Sequence, residues 1–215
     1  MTNKAKIPLF PLGLVLLPHL PLPLHIFEER YKMMIGECRD ENKVFGVVYF
    51  NGSEVQRVGC TAVILNVLKR YEDGRLDILT RGVRRFVIIE MFDDKPYLEA
   101  MVRFFDDELE EAKNVCEELA HQGVDLLKQF AATAMEQQEY VFAEQMDFES
   151  VSFLLSGCEG FSYEEKQQFL EMVSTHERLR KSVAALKRII ERYKITEEIH
   201  KIIGGNGNVR RLLNK

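Results

Sequence analysis

The dipeptide Gly-Lys occurs nowhere in these 215 residues. A phosphate-binding loop needs that lysine, behind glycines that expose their amides to the phosphates, so nucleotide-driven chemistry has no anchor here. The one glycine cluster, Gly204-Gly205-Asn206-Gly207, follows no strand. The four cysteines, Cys38, Cys60, Cys116 and Cys158, are scattered without a CxxC pair or a Cys/His pairing at zinc spacing. That excludes a disulfide framework and a structural zinc, and it points to idle thiols in a reducing, cytoplasmic setting. A G-x-S-x-G nucleophile elbow is missing. The HERLR run at His176 resembles half of HExxH but puts Arg180 where the second zinc ligand would stand. The metalloprotease reading falls with it, nothing singles out a Ser-Lys pair for proteolysis, and no cofactor is expected.

A transmembrane or secretory segment is excluded by proline. Ile7 to Met34 reads IPLFPLGLVLLPHLPLPLHIFEERYKMM and holds five of the chain's six prolines, with no charged residue before Glu28. A span needs about 20 helix-compatible apolar residues. Pro8, Pro11, Pro18, Pro21 and Pro23 each remove an amide donor and push the preceding residue toward extended geometry, so no helix runs through them. Behind Lys4 and Lys6 there is no small-residue cleavage pattern. The stretch is therefore the entry to a folded domain, with prolines at strand edges or bulges.

What is present divides into two patterns. From Val44 to about Phe105, short β-branched and aromatic runs alternate with Asn51-Gly52 and Asp73-Gly74 turns, which predicts an antiparallel, partly closed barrel. Glu28 to about Glu41 is helical and covers one end of it. Beyond Asp107, with Glu110 as a capping-box partner, the period changes to helical spacing through Leu109, Ala112, Cys116, Leu119, Gly123, Leu126 and Phe130. A shorter helix follows at Ser150–Ser156, another is capped by Ser162 with Glu165, and a fourth by Ser174 with Glu177. The last has a seam at Leu179, Val183, Leu186, Ile190 and Tyr193, expected to be an intramolecular core rather than a subunit contact. The fold class is α+β, with a barrel over 1–105, a helical bundle over 106–200 and a basic, loop-like tail over 201–215. Net charge runs +2 over 1–105, −14 over 106–172 and +7 over 173–215. The acidic middle disfavours nucleic acid. Arg81, Arg84 and Arg85 with Phe86 form a basic-aromatic run that strand alternation dilutes.

Taken together, the opening block, FGVV, VGCTAVI, DGRLDILTRGVRRFVI, PYLEA and the late EEKQQFLEMVSTHERLR closely resemble the amino-terminal substrate-binding domain of Lon protease, as found in stand-alone bacterial Lon-domain proteins. The resemblance covers about residues 6 to 195. It implies a PUA-like pseudo-barrel followed by a helical bundle. It also implies recognition of exposed polypeptide, or an adaptor role, without catalysis, because the ATPase and Ser-Lys peptidase modules of full Lon are not expected in this chain. A PUA-like RNA-binding module and an undetected hydrolase are the alternatives. Candidate groove positions are His19, Leu20, Leu22 and His25, with barrel core as their competing role. The expected partners are unfolded or exposed polypeptide segments, not membranes, and the expected state is a monomer or weak homodimer.

Overall fold

The computed structural model describes residues 3–108, 112–134, 143 and 145–212. Six strands come from the first half: β1 (Lys4–Leu12), β2 (Pro21–Ile26), β3 (Phe45–Phe50), β4 (Val55–Arg70), β5 (Leu76–Phe92) and β6 (Glu99–Phe104), with α1 (Glu29–Asp40) between β2 and β3. β1 pairs with β3, β3 with β4, β4 with β5, β5 with β6 and β6 with β1, so five strands close a ring. β2 lies outside that ring on the first half of β5, from Pro21 opposite Arg81 to Ile26 opposite Leu76. The sheet is mixed, which corrects the antiparallel expectation: β1 and β3 run parallel. A parallel pair needs a long crossover, and the connection carrying β2 and α1 supplies it.

Local chemistry explains the turns. Asn51 Oδ1 accepts from the amides of Ser53 and Glu54 at 2.9 Å each, with Gly52 at φ 97°. Asp73 Oδ1 accepts from the Arg75 amide at 3.2 Å, with Gly74 at φ 81°. Both positive φ values suit glycine, and both turns join antiparallel strands as expected. The RLDILT and RRFVIIEMF runs form one strand, continuous through Gly82.

α1 presses Tyr31, Met34, Ile35 and Cys38 onto Phe10, Phe45, Val47 and Ile78, closing one end of the barrel. Phe86, fully buried, fills the other cluster with Leu9, Val48 and Val102. Its ring leaves no room at two neighbours: a methyl on Gly46 or Gly59 would stand 2.7 or 2.6 Å from Phe86 Cζ.

The second half contributes α2 (Lys113–Ala134), α3 (Phe148–Ser156), α4 (Tyr163–Glu171) and α5 (Thr175–Leu212). Ser162 and Glu165 make the full capping box of α4, and Ser174 Oγ caps α5 at the Glu177 amide. Leu179, Val183 and Leu186 are buried with Cys116, Ala120, Val124 and Leu127, and Ile190 is buried too, so the α5 seam is an internal core. α5 continues helically to Leu212, where a loop was expected over 201–215. Glycines cost about 1 kcal/mol each in a helix but keep their amides, whereas only proline blocks the ladder. Residues 213–215 lie outside the described residues.

The capping box expected at Asp107 has its partner, Glu110, outside the described residues, and the Asp107 carboxylate is buried between two arginines. Oδ2 receives Arg178 Nη2 at 2.5 Å and the Thr175 hydroxyl, while Oδ1 receives Arg85 Nη2 and, at 3.2 Å, Arg178 Nη1. Arg178 also donates to Ser152 Oγ at 2.8 Å and lies 3.8 Å over the Phe153 ring. Arg85 reaches the carbonyls of Leu170 and Met172 at the end of α4. One carboxylate thus ties β5, α3, α4 and α5 together.

Candidate functional site

The prolines of β2 hold it extended, and its alternate residues turn inward: Leu24 and Ile26 are buried, Leu22 partly so, while Pro21, Pro23 and His25 face out. Past Ile26 the chain enters α1, whose N-cap residue is Glu28. Phe27 is caught between the end of the strand and the start of the helix, and stays 59% exposed. Beside it, Phe10, Leu12, Leu24, Ile26 and Tyr31 line a cleft of about 280 Å³ with His25, Glu28 and Arg30 at its rim.

Polar contacts fix that rim. His25 Nδ1 and Asp77 Oδ1, directly opposite on β5, are 2.5 Å apart, and Tyr71 Oη donates to Asp77 Oδ2 at 2.8 Å. The His25 and Tyr71 bonds hold the Asp77 carboxyl below its ordinary range. The His25 ring stacks on Phe27 at 5.9 Å and meets Tyr71 edge-on at 5.7 Å. Tyr71 carries Lys69 at 4.4 Å and Arg75 at 4.8 Å over its ring. Arg30 lies 4.6 Å over Tyr31 and bonds Glu28 at 2.8 Å. The result is an apolar floor with a charge-paired frame, a shape suited to holding a side chain.

Other chemistry finds little support. Burial pushes the Cys38 thiol up to about 11 and the Cys60 thiol up to about 12, so both stay protonated and unreactive. Among the described residues, no group of three or more His, Cys, Asp or Glu side chains could hold a metal ion. Of the basic run, Arg85 is buried and Arg84 is paired to Asp106 at 2.9 Å.

The model of the ATP-dependent protease La (LON) substrate-binding domain family matches residues 6–188. The chain belongs to that family. A Lon N-terminal domain protein from Xanthomonas campestris shares the fold at TM-score 0.64 with 24% identity, over 84% of this chain and 98% of that one. The N-terminal domain of Mycobacterium avium complex Lon protease does so at TM-score 0.68 with 17% identity, over 85% and 98%. The Lon protease of Anaeromyxobacter dehalogenans is 26% identical over 217 residues, 94% of this chain but 25% of its own length. That of Dictyoglomus thermophilum is 23% identical over 204 residues, 90% of this chain and 26% of its own. The chain therefore spans about a quarter of the length of the Lon proteases it matches. Among the described residues of this Lon domain, no helix is long and apolar enough to cross a membrane.

The four residues singled out in the sequence do not converge in the Lon domain. His19 sits in the β1–β2 loop at φ 66°, its side chain exposed and its amide donating to Gly82 O at 2.9 Å. Leu20 packs against both the barrel core and the helical core, beside Gly157. Leu22 packs on the barrel core. Only His25 opens on the cleft. Phe27, Tyr31, Arg30 and Asp77 were not singled out. Phe27 had a local signal, being an aromatic residue stranded between an alternating run and a helix start. Asp77 had none, because its pairing with His25 joins residues 52 apart.

Proposed function

We propose that this Lon domain binds exposed segments of polypeptide without cutting them, as a recognition or adaptor module, and seats an apolar side chain of the segment in the cleft behind Phe27. The carrying observation is Phe27 itself, 59% exposed beside an apolar cleft of about 280 Å³. A cavity of roughly 150 Å³ already admits benzene, so a phenylalanine or leucine side chain fits. The family's substrate-binding description and the charge-paired rim support the same reading. The unit acting is a PUA-like barrel over 1–105 with a helical bundle after it, monomeric and cytoplasmic, and the acidic stretch over 106–172 weighs against RNA as the ligand.

Phe27→Ser tests this directly. Phe27 is mostly solvent-exposed, so the thermal midpoint should stay within the narrow range of surface substitutions. Fluorescence anisotropy against a labelled, permanently unfolded polypeptide should show affinity falling about tenfold, as for loss of a central aromatic contact. Unchanged affinity would remove the cleft from the account. Association with labelled RNA alone, weakening with salt, would replace polypeptide by RNA.

A further inference from the structure

β2 lies at the end of the sheet, and among the described residues it pairs with β5 alone. An antiparallel ladder takes both backbone groups of every second residue and turns those of the others outward. The Gly82 amide donates to Leu20 O at 3.0 Å, and Thr80 Oγ1 donates to Leu22 O at 2.8 Å, so the even-numbered residues face β5. Pro21, Pro23 and His25 then face away. Two of these three have no amide hydrogen, which leaves an edge of three carbonyls and one donor. The far edge of the same extension is blunted differently. β4 pairs with β3 only as far as Ala62, carries irregularities between Ile64 and Asn66 and between Val67 and Lys69, and ends on Lys69 and Arg70. Bulges, prolines and terminal cations are the devices by which sheet edges avoid pairing with another chain.

On the reading that this domain binds polypeptide at the neighbouring cleft, we infer that it holds its client by side chains and leaves the client's main chain unpaired. The extended segment supplies an apolar side chain to the cleft, and β2 does not accept it as an additional strand. Clients rich in proline are then as acceptable as ordinary ones, since no backbone amide of the client is needed.

Two experiments on the full chain separate this mode from strand addition. The first compares three labelled ten-residue peptides by anisotropy: a parent with leucine and phenylalanine at spaced positions, the same peptide N-methylated at alternate amides in both phases, and one with its apolar residues replaced by serine. N-methylation should change affinity less than about twofold, and the serine peptide should lose more than about tenfold. A tenfold loss on N-methylation in either phase, with the serine peptide still bound, overturns the inference. If not even the parent binds, the polypeptide reading itself fails, and the second experiment still tests the edge. Pro21→Thr with Pro23→Thr restores two donors, and light scattering should then report concentration-dependent self-association beyond that of the unmodified protein. A folded double variant that associates no more than the original shows that the prolines do not guard the edge, and overturns the inference.

Discussion

Asp107→Ala should lower stability by about 3–5 kcal/mol, the range for removing one partner of a buried ion pair. In a chain of this size that corresponds to a midpoint lower by roughly 10 °C. Asp107, Arg85 and Arg178 have side chains 5%, 2% and 0% exposed. Without the carboxylate, two buried guanidiniums face each other with no anion between them. What remains is partial compensation: the Leu170 and Met172 carbonyls at the negative end of α4, and the Phe153 ring under Arg178 at 3.8 Å and near Arg85 at 5.2 Å. Formate should recover part of the loss by entering the vacated space, whereas neutral formamide should not. A denaturant-derived loss below about 1 kcal/mol would mean that the carbonyls and the ring suffice.

The same cluster predicts a pH dependence. Burial alone would raise the Asp107 carboxyl, but the bonds and charge of Arg178, the Thr175 hydroxyl and the charge of Arg85 outweigh it and hold the group below its ordinary value. A carboxyl depressed in the folded state contributes stability that is complete above the unfolded value of about 3.9 and is lost as pH falls through the folded one. Thermal midpoints of the original protein and of Asp107→Asn should therefore lie apart at pH 6 and converge below about pH 4. Parallel curves would place the acid sensitivity elsewhere.

Features decided within a few residues were legible in the sequence. Asn51-Gly52 and Asp73-Gly74 turn antiparallel strands, and the Ser162 and Ser174 caps start helices, because each rests on bonds to residues two or three away. Features decided by tertiary neighbours were not. Asp107 has capping-box spacing, yet its partners stand 22 and 71 residues away. Arg85 looks like one more exposed basic residue of its run. It is buried because α3 and α4 cover that side of β5, and no local pattern announces a covering helix. Leu20 belongs to a leucine-rich stretch in which composition cannot separate groove from core. Its place between two cores follows from where α3 ends at Gly157. The cleft was only half legible for the same reason: His25 and Phe27 are local, but Asp77 and Phe10 arrive from β5 and β1.

Gly82→Ala should be nearly as damaging as Asp107→Ala, at about 3 kcal/mol, the upper end of the range for overpacking. A methyl group at Gly82 falls on the Leu17 carbonyl oxygen, well inside van der Waals contact, and stands 3.0 Å from the Leu17 carbonyl carbon and 3.2 Å from Cys60 Sγ. Backbone cannot rotate away as a flexible side chain can. The loop could escape only by lifting off β5, and three things oppose that. Its His19 amide and Leu20 carbonyl are bonded to Gly82 itself, at 2.9 and 3.0 Å. Leu16 and Leu17 are buried at 3% and 1% exposure, and each would lose about 1.5–3 kcal/mol of burial on leaving the core. His19 already holds a left-handed φ of 66°, which leaves little slack between Pro18 and Leu20. Gly13→Ala and Gly36→Ala are the controls, since a methyl there meets nothing within 4 Å. Gly36→Ala should even stabilise α1 by up to about 1 kcal/mol. Guanidinium denaturation of the three variants separates the cases. If Gly82→Ala keeps its midpoint but loses polypeptide binding, the loop has moved without unfolding, and the entry to β2 sets the shape of the cleft. If the midpoint falls and the remaining folded protein binds as before, the contact of Leu17 with Gly82 serves the fold alone.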